Sequence, residues 1–378
     1  MKKYDFDNVV ILHDKDRIPL SSIERKKRQG PYRYYGAQGV IDHIDDYLFD
    51  GEYILIAEDG ENLKSRKQNI AQLVCGKFWV NNHAHIVTTT DICKLRYFYY
   101  LINTINLSEY ITGSAQPKLS QSSMRKMSFV LPEIDIQDKI LKIVGEIDDK
   151  IEVNEEINKN LEQQAEALFY SLFIEKINPI WKDGVLSDLG TIVGGGTPSK
   201  TKPEYYSEHG IAWITPKDLS LNKSKFISHG EIDISELGFS KSSATKMPPG
   251  TVLFSSRAPI GYIAIAANEV TTNQGFKSVV PNENIGTAYV YYLLKFLLPT
   301  IKGMASGSTF KEISGTGIKS VPVVIPDDEA IEKFNTFCTP IFQQQEILEA
   351  ENSRLTNIRD TLLPKLMSGE LDVSDIDL

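Results

Sequence analysis

Cysteine is scarce in this chain of 378 residues, and its scarcity argues against cross-linked protein classes. The three cysteines, Cys75, Cys93 and Cys338, lie far apart and form no C-x-x-C pair. This spacing argues against a disulfide framework and against a cysteine-ligated zinc site, and it fits a reducing compartment. The chain is therefore expected to be cytoplasmic.

Long apolar runs are also missing. The most apolar stretch, YVYYLLKFLLP from Tyr289 to Pro299, is too short to span a bilayer and contains Lys295. The first residues, MKKYDFDNVVILHDKDR, include no sustained apolar segment, so a signal peptide is not expected there. The stretch that begins at Tyr289 is predicted to form a buried helix.

Positive charge is not in excess either, because the formal net charge is −9. The distribution of charge is uneven. Residues 133–176 contain 12 Asp/Glu and 5 Lys/Arg, and residues 327–378 contain 12 Asp/Glu and 4 Lys/Arg. The remainder is mildly basic, with 32 Lys/Arg and 26 Asp/Glu. Such a pattern indicates either a nucleic-acid-binding face beside two acidic stretches or simply two solvated helices.

Phosphate-binding and methyltransferase motifs are incomplete. In GGGTPSKT (194–201), Ser199 replaces the second glycine of a P-loop, and Pro198 removes a backbone N–H that phosphate would need. NPIW (178–181) resembles an amino-methyltransferase loop, but no glycine-rich strand–turn–helix precedes it. Both stretches are therefore interpreted as non-catalytic.

Metal-binding patterns are equally incomplete. Glu133 followed by Asp148-Asp149-Lys150 fits a magnesium nuclease pattern, but the last three lie on a predicted helix and are interpreted as its solvated face. His83 and His85 would share one face of a strand, yet no clear third ligand stands out among the other histidines. No metal site is predicted.

The chain contains two copies of one plan. GSAQPKLSQSSMRKMSFVLPE (113–133) aligns without a gap with GSTFKEISGTGIKSVPVVIPD (307–327) at an offset of 194. Upstream, FDGEYILIAEDG from Phe49 resembles PPGTVLFSSRAPIG, and WVNNHAHIV from Trp79 resembles VTTNQGFKSVV. In this alignment Gln274 and Phe276 replace the two histidines. Polar positions that differ between copies favour a surface that reads two different partners.

Two long amphipathic helices follow the two copies. In the first, a seam with a spacing of three and four residues predicts a coiled coil over about four heptads. Its members are Val144, Ile147, Ile151, Asn154, Asn158, Leu161, Ala165, Leu168 and Leu172. The offset of 194 gives the second seam: Cys338, Ile341, Gln345, Leu348, Asn352, Leu355, Arg359 and Leu362. The two helices are predicted to pair antiparallel.

These features predict an α+β protein of two pseudo-repeated αβ recognition domains separated by two long antiparallel coiled-coil helices. The expected ranges are 1–132 for the first domain, 133–176 for the first helix, 177–326 for the second domain and 327–378 for the second helix with a C-terminal tail. Similar modules on a rod of about 50 Å, at ~1.5 Å per residue, suit a reader of two DNA segments.

The motifs resemble the specificity (S) subunit of type I restriction–modification systems. The second half carries GGTPS (195–199), YYSEHGIAWITPKDL (205–219), TTNQGFKSVVP and TLLPKLMSGEL (361–371). The first half carries YRYYGAQGVI, YLFDGEYILIAEDG and FWVNNHAHIV, which look like another variant of the same domain, although it lacks GGTPS. The resemblance covers nearly the whole chain.

The resemblance implies a non-catalytic, DNA-binding subunit. Each domain would read half of a split, asymmetric site in double-stranded DNA, and the helix pair would set the gap. The helices would also dock two methyltransferase (M) subunits that use S-adenosylmethionine to methylate adenine at N6. Restriction (R) subunits would add cleavage with ATP and magnesium. No cofactor is expected in this chain itself.

DNA contacts are predicted for polar side chains in loops or at strand ends that match, or nearly match, between the copies. In the first copy they are Arg33, Tyr34, Lys64, Arg66, Asn82, His83, Gln116 and Lys118. In the second they are Lys217, Arg257, Asn273, Gln274, Lys277, Ser308, Thr309 and Lys311.

Subunit docking is predicted on the helix seams, at Ile147, Ile151, Asn158, Leu161, Leu168, Ile341, Leu348, Asn352, Leu355 and Leu362. The GGTPS loop is predicted to be an entry turn to the second domain, with Lys200 and Lys202 near DNA phosphate. Two alternatives stay open: a coiled-coil interaction scaffold, and the recognition subunit of a fused type II-like restriction–methylation enzyme.

Overall fold

The computed structural model describes residues 1–113, 116–307 and 311–376. The chain divides into two compact units, Met1–Lys150 with Leu355–Leu378 (unit 1) and Ile151–Arg354 (unit 2). Each unit combines sheet with helix, so the predicted α+β class is confirmed. The division falls inside both long helices, which therefore contribute segments to each unit.

A six-stranded sheet forms the centre of unit 1. Its order is β2-β7-β5-β6-β3-β4, and only the β3–β6 pair is parallel among its described pairings. The strands of unit 1 are β1 (Lys2–Asp5), β2 (Val10–Leu12), β3 (Gln29–Gly36), β4 (Gly39–Ile44), β5 (Phe49–Ala57), β6 (Ala71–Val80), β7 (Ala84–Thr89) and β8 (Ser128–Leu131). The run YILIA makes β5 a buried strand between two neighbours, as its branched side chains favour.

Helices cover this sheet. They are α1 (Phe6–Val9), α2 (Ser22–Lys27), α3 (Asn62–Ser65), α4 (Leu95–Thr104) and α5 (Gln121–Met124), followed by the long α6 (Ile134–Phe169). The amphipathic α4 buries Tyr97, Phe98 and Leu101 in the main core of unit 1, together with Ile54 and Val87 from the sheet.

Unit 2 is built from a five-stranded sheet of order β10-β18-β15-β16-β13 and three strand pairs. Its strands are β9 (Lys182–Val185), β10 (Gly190–Gly194), β11 (Tyr206–Ser207), β12 (Trp213–Ile214), β13 (Phe226–Ile227), β14 (Asp233–Ile234), β15 (Val252–Phe254), β16 (Ile263–Ala266), β17 (Thr271–Thr272), β18 (Lys277–Pro281) and β19 (Pro322–Ile325). Its helices are α7 (Pro216–Leu221), α8 (Glu236–Ser240), α9 (Thr287–Met304), α10 (Gly315–Lys319) and the long α11 (Asp328–Ser368).

The apolar stretch at Tyr289 forms the buried helix that the sequence predicts. It lies within α9, where Tyr289, Tyr292 and Leu294 are part of the unit 2 core. Among the described residues, no helix is both long and apolar enough to cross a membrane.

The two long helices pack through the predicted seams. Within unit 2, Asn154 donates to Asn352 at 2.8 Å and Gln345 donates to the carbonyl of Asn158 at 3.2 Å. Within unit 1, Arg359 pairs with Asp148 at 2.8 Å. In unit 2, rising numbers on α6 meet falling numbers on α11, so the two segments run antiparallel there, as predicted.

The first helix differs in detail from the predicted range of 133–176. It is α-helical over Ile134–Phe169 and then widens into a π-helical turn, Tyr170–Ile174. Phe173 of this turn packs on Tyr289 and Phe334, with ring centroids 4.8 and 5.3 Å apart. The apolar residues of the turn thus leave the heptad pattern because they join the unit 2 core.

Candidate nucleic-acid interface

Both units present three chain segments held together by the same backbone hydrogen bonds. In unit 1 these segments are 58–59, 81–83 and 116–119, named the first loop cluster. Glu58 N–H donates to the carbonyl of His83 (2.9 Å), Leu119 N–H donates to that of Glu58 (2.8 Å), and His83 N–H donates to the side chain of Asn81 (2.8 Å). Asp59 and Lys118 form a β-bridge.

Unit 2 repeats this pattern in segments 256–257, 273–275 and 311–313, the second loop cluster. Ser256 N–H donates to Gly275 (2.7 Å), Ile313 N–H donates to Ser256 (3.1 Å), and Gly275 N–H donates to the side chain of Asn273 (2.8 Å). Arg257 and Glu312 form the corresponding β-bridge. The two clusters are therefore equivalent, residue by residue.

This equivalence corrects the sequence alignment by one residue. His83 corresponds to Gly275 and His85 to Lys277, whereas the aligned motifs paired them with Gln274 and Phe276. Asn82 is the counterpart of Gln274, and both are exposed. The alignment placed Asn82 opposite Asn273, whereas the hydrogen bonds show that Asn81 is the counterpart of Asn273.

The second loop cluster opens onto a cavity of about 620 Å³. Four of the predicted DNA-contacting residues line it: Lys217, Arg257, Asn273 and Gln274. Trp213 and Tyr206 supply aromatic walls, 5.8 Å apart between ring centroids. Residues far apart in sequence thus form one concave surface with apolar walls and polar groups.

Acidic partners hold the cations of this surface. Arg257 lies 3.4 Å from Glu312, and Lys217 pairs with Glu231. Thr197 donates a hydrogen bond to the side-chain oxygen of Gln274. Exposed ion pairs of this kind contribute only about 0–1 kcal/mol, so they orient the cations without preventing a change of partner.

The GGTPS loop is packed against the same segment. Gly196 N–H donates to Thr272 (2.8 Å), and the Trp213 indole donates to Gly196 (2.9 Å). A Cβ at Gly195 would lie 2.0 Å from the carbonyl oxygen of Asn273, and one at Gly196 would lie 2.3 Å from Ala244 N. Glycine is therefore required for close backbone approach, which places Thr197 beside Gln274.

The first loop cluster has the opposite arrangement of charge. At the bridge, Asp59 stands where the second cluster has Arg257, and Lys118 stands where it has Glu312. Lys118 pairs with Glu58 at 3.2 Å, and the His83 ring lies 2.7 Å from Asp59. The same scaffold thus displays an inverted pattern of cation and anion.

A buried network lies beneath the first loop cluster. His85 Nδ1 lies 2.5 Å from Asp14 and its Nε2 lies 2.7 Å from the carbonyl of Leu119. Asp14, Glu58 and His85 would be near enough to share a metal ion. However, both ring nitrogens already face acceptors, and Arg17 neutralises both carboxylates at 3.3 and 3.1 Å. The geometry favours a hydrogen-bonded support for the segment that carries Lys118.

Burial opposes ionisation of Asp14, but its hydrogen bond and charge interaction with His85 lower the Asp14 pKa below the usual value. The carboxylate therefore stays charged under the loop cluster. His83 lies outside this network and is exposed, so the two histidines of NNHAH have different environments.

Two predicted contact residues of unit 1 have structural roles instead. Tyr34 is fully buried, and Leu20 N–H donates to its hydroxyl at 2.9 Å, so its side chain does not reach a surface. Arg66 donates to the carbonyls of Asn103 and Ile105 and closes the C-terminus of α4. Tyr34 follows Arg33 in YRYYG and Arg66 lies between Ser65 and Lys67, and such polar neighbours did not distinguish buried from exposed positions.

The remaining predicted residues are placed as follows. Arg33, Lys64 and Gln116 are exposed in unit 1, with Arg33 donating to the Tyr35 hydroxyl at 3.5 Å and Lys64 to Gly113 at 3.2 Å. In unit 2, Lys311 is exposed, whereas Lys277 is half-buried. Ser308 and Thr309 lie outside the described residues. The structure assigns no ligand to any of these side chains, so their DNA contacts stay predictions.

The residues predicted for subunit docking lie on the less exposed faces of the two long helices, and Asn158 and Asn352 take part in hydrogen bonds between these helices. All are buried or half-buried: Ile147, Ile151, Asn158, Leu161, Leu168, Ile341, Leu348, Asn352, Leu355 and Leu362. Apolar side chains on other faces are exposed, namely Val153 and Ile157 on α6 and Phe337, Ile347 and Ile358 on α11. The heptad pattern identified the intramolecular seam and missed these outward residues, since isolated apolar residues outside a seam give no periodic signal.

Comparison with known families gives a match over most of the chain. The model of the type I restriction modification DNA specificity domain matches residues 3–163 and 180–357. It therefore matches both halves separately, in agreement with the internal repeat.

Individual relatives carry related names. The type I restriction enzyme MjaIX specificity subunit of Methanocaldococcus jannaschii is 40% identical over 173 residues, which are 45% of this chain and 40% of that protein. The HindI specificity subunit of Haemophilus influenzae is 25% identical over an alignment of 404 positions that covers 85% of this chain and 84% of that one. The crystal structure of a type I S subunit from M. genitalium superposes with a TM-score of 0.61 at 17% identity, over 97% of this chain and 95% of that chain. This last similarity establishes the fold.

Proposed function

The chain belongs to the family of type I restriction–modification DNA specificity domains, and from that premise we propose that its two recognition domains each read one half of a bipartite, asymmetric site in duplex DNA. The observation that carries this proposal is the pair of equivalent loop clusters with different side chains. One scaffold that occurs twice and displays unlike polar groups suits two unlike half-sites.

The second loop cluster has the chemistry for reading base edges. Arginine presents a bidentate donor fork to guanine, and glutamine or asparagine pairs with adenine in the major groove. Arg257, Asn273 and Gln274 line the same cavity, so one concave surface carries donor and acceptor groups of both kinds. At the corresponding positions the first cluster has Asp59, Asn81 and Asn82. Its exposed polar side chains are Asn82, His83 and Lys118.

Phosphate contacts position such a reader without specifying sequence. Lys200 lines the cavity of the second cluster, and Lys202 lies 5.4 Å from the ring centre of Tyr205 near the GGTPS loop. The first unit has the basic helix α2 with Lys26 and Lys27 exposed in its last turn. These lysines are the proposed phosphate-facing groups.

The two long helices would set the gap between half-sites. Their 36 and 41 residues correspond to about 54 and 61 Å at ~1.5 Å per residue. Lengthening both helices by one heptad is expected to change the gap that the protein accepts. An unchanged gap among sites selected from a random-spacer library would contradict this role.

The helices would also dock two methyltransferase subunits. The exposed apolar residues Val153, Ile157, Ile347 and Ile358 are the proposed contacts, because the seam residues are buried or half-buried within the chain. S-adenosylmethionine and the N6-methylation of adenine would belong to those subunits, and ATP with magnesium to the restriction subunits. This chain would supply recognition and no catalysis.

The decisive experiment maps N6-methyladenine across the genome with and without this chain. The proposal predicts that one bipartite motif loses methylation when the chain is absent and regains it when the chain is restored. A methylation pattern that does not depend on the chain would contradict the proposal. Methylation by the purified chain alone with S-adenosylmethionine would indicate a fused enzyme instead.

A further inference from the structure

The helix that follows the sheet carries the same tyrosine pattern in both units. Tyr97–Leu101 of α4 reads YFYYL, and Tyr289–Leu293 of α9 reads YVYYL. The last tyrosine of each pattern is buried, and its hydroxyl donates a hydrogen bond to a carboxylate on α6. Tyr100 donates to Asp148, and Tyr292 donates to Glu162. Each unit therefore has one polar anchor between its recognition domain and its long-helix segments.

In unit 2 this anchor is part of a group of buried and half-buried polar and charged side chains, named the second clamp. Its members are Tyr292, Glu162, Lys225, Lys295, Gln345 and Glu349. Tyr292 lies 2.9 Å from Glu162, and Lys225 forms an ion pair with the same carboxylate. Lys295 binds the other oxygen of Glu162 at 2.7 Å. Three side chains of the recognition domain, two from α9 and one from the residue before β13, thus meet at one carboxylate of α6.

Lys225 connects the recognition domain to the second long helix as well. Its ammonium donates to Gln345 of α11 at 2.7 Å and lies 4.2 Å from the ring centre of Phe342. The backbone N–H groups of Lys225 and Phe226 donate to the two oxygens of Glu349, at 2.9 and 3.0 Å. The start of β13 is thereby fixed to α11 through both side chain and backbone.

The charges of this clamp are strongly coupled. Burial opposes ionisation of Glu162, but Lys225 and Lys295 outweigh it and lower its pKa to about 2. Burial lowers the pKa of Lys225, and Glu162 acts in the opposite direction. A buried charge that loses its partner is strongly destabilising, so the members hold one arrangement.

The first clamp has fewer members, and its cation is more exposed than Lys225 of the second clamp. It consists of Tyr100, Asp148 and Arg359, with Arg359 at 2.8 Å from Asp148. The side chains of Arg359 and Asp148 are 25% and 29% exposed, whereas that of Lys225 is 6% exposed. A cavity of about 310 Å³ lies beside this clamp, lined by Tyr99, Tyr100 and Arg359.

We propose that the two clamps are positioning devices, in which Tyr292 with Lys225 and Tyr100 with Arg359 fix the orientation of each recognition domain on the long-helix segments of its own unit. This inference rests on the proposed reading of a bipartite site. One base pair moves a half-site by about 3.4 Å along the duplex. A domain that tilts on its helices therefore shifts its reading surface relative to the bases, and the tolerated gap widens.

The clamps give a direct test with matched variants. Lys225→Met keeps the apolar stem and removes the charge, and Arg359→Met does the same in the first clamp. Tyr292→Phe and Tyr100→Phe are milder, since each removes one hydroxyl. Each variant, assembled with methyltransferase subunits, is offered duplexes with both half-sites at the wild-type gap and at gaps one base pair shorter or longer.

For Lys225→Met we expect methylation at the altered gaps, relative to the wild-type gap, to rise about tenfold, a change of ~1.4 kcal/mol. Tyr292→Phe is expected to raise relative methylation at the altered gaps by a smaller factor. Arg359→Met and Tyr100→Phe are each expected to have a smaller effect than Lys225→Met and Tyr292→Phe, respectively. The half-site sequences themselves are expected to stay the same. Amide hydrogen exchange of 225–227 and 287–304 in the free chain is expected to accelerate in Lys225→Met.

Several outcomes would overturn the proposal. A folded Lys225→Met or Tyr292→Phe protein with wild-type gap preference means that the clamp only stabilises the fold. If Lys225→Met does not fold and Tyr292→Phe keeps the wild-type gap preference, the clamp again only stabilises the fold. A wild-type complex that ignores the gap altogether contradicts the proposed function itself, and the positioning role with it.

Discussion

The two loop clusters have one backbone and two surfaces. Hydrogen bonds at 58–83–119 in unit 1 recur at 256–275–313 in unit 2. Yet Asp59 and Lys118 become Arg257 and Glu312, so cation and anion exchange places at the bridge. Backbone bonds do not depend on side-chain identity, and the scaffold can therefore stay the same while the displayed groups change. We infer that the scaffold and the specificity of this protein are separable.

The two halves of the chain differ most in the GGTPS loop, which only the second half contains. Gly195→Ala places a Cβ 2.0 Å from the carbonyl oxygen of Asn273. We expect a loss of about 1–3 kcal/mol in stability from this overpacking and weaker binding at the second half-site. Thermal unfolding and footprinting measure the two effects.

Gly194→Ala is the matched control, because the nearest atom to its Cβ would be 4.0 Å away. It is expected to change both quantities little. Equal effects of the two alanines would mean that loop flexibility matters and close backbone approach does not.

Arg257→Ala and Lys118→Ala test whether each loop cluster reads its own half-site. Arg257→Ala is expected to weaken the second half-site by about 1–3 kcal/mol, the value of a good base contact, and to spare the first. Lys118→Ala is expected to do the reverse. Footprinting of each mutant complex measures protection at both halves, and equal loss at both would contradict two independent readers.

The stability that Glu162 of the second clamp contributes is expected to depend on pH. The pKa of Glu162 is lowered to about 2, so its contribution to stability is complete above its ordinary value near 4.5 and is lost as pH falls toward 2. Glu162→Gln is expected to be less stable than the wild type at pH 7, and the deficit is expected to shrink on acidification. Chemical unfolding between pH 7 and pH 3 measures it, and a constant deficit would contradict the assignment.

Lys200→Ala and Lys202→Ala are expected to have the smallest effects. A lysine on phosphate raises affinity for all sequences alike, so its loss weakens binding uniformly and reduces the slope of log K against log salt by about 1. Binding titrations at several salt concentrations measure the slope. An unchanged slope would mean that the GGTPS loop positions Thr197 and Gln274 without contacting phosphate.

The internal repeat and the seams were readable from the sequence because they are periodic. The seam residues from Val144 to Leu168 are buried or half-buried as predicted. Arg257, Gln274 and Lys217 were also named from the sequence, and the structure brings them to one cavity. Their role in DNA contact stays a prediction.

Other site features had no sequence signal. Asp148 was interpreted as part of a solvated face, but it accepts from Tyr100 and pairs with Arg359. Lys225 belongs to none of the motifs found in the sequence, and its partners lie 63 to 124 positions away, at Glu162 and Glu349. Contacts of this kind depend on how helices pack on a sheet, and no local pattern reports them.

By itself, the sequence determined the class of this protein, its two-fold repeat and the two long helices, because period and motif order depend on neighbours along the chain. Only the tertiary structure decided the register between the halves, which places Asn82 with Gln274 and His85 with Lys277. It also decided which polar residues are buried, such as Tyr34 and Lys225. A residue becomes buried, or pairs with a distant one, when segments far apart in sequence pack together and remove their surfaces from water. The spacing of neighbouring residues carries no information about which segments will pack together.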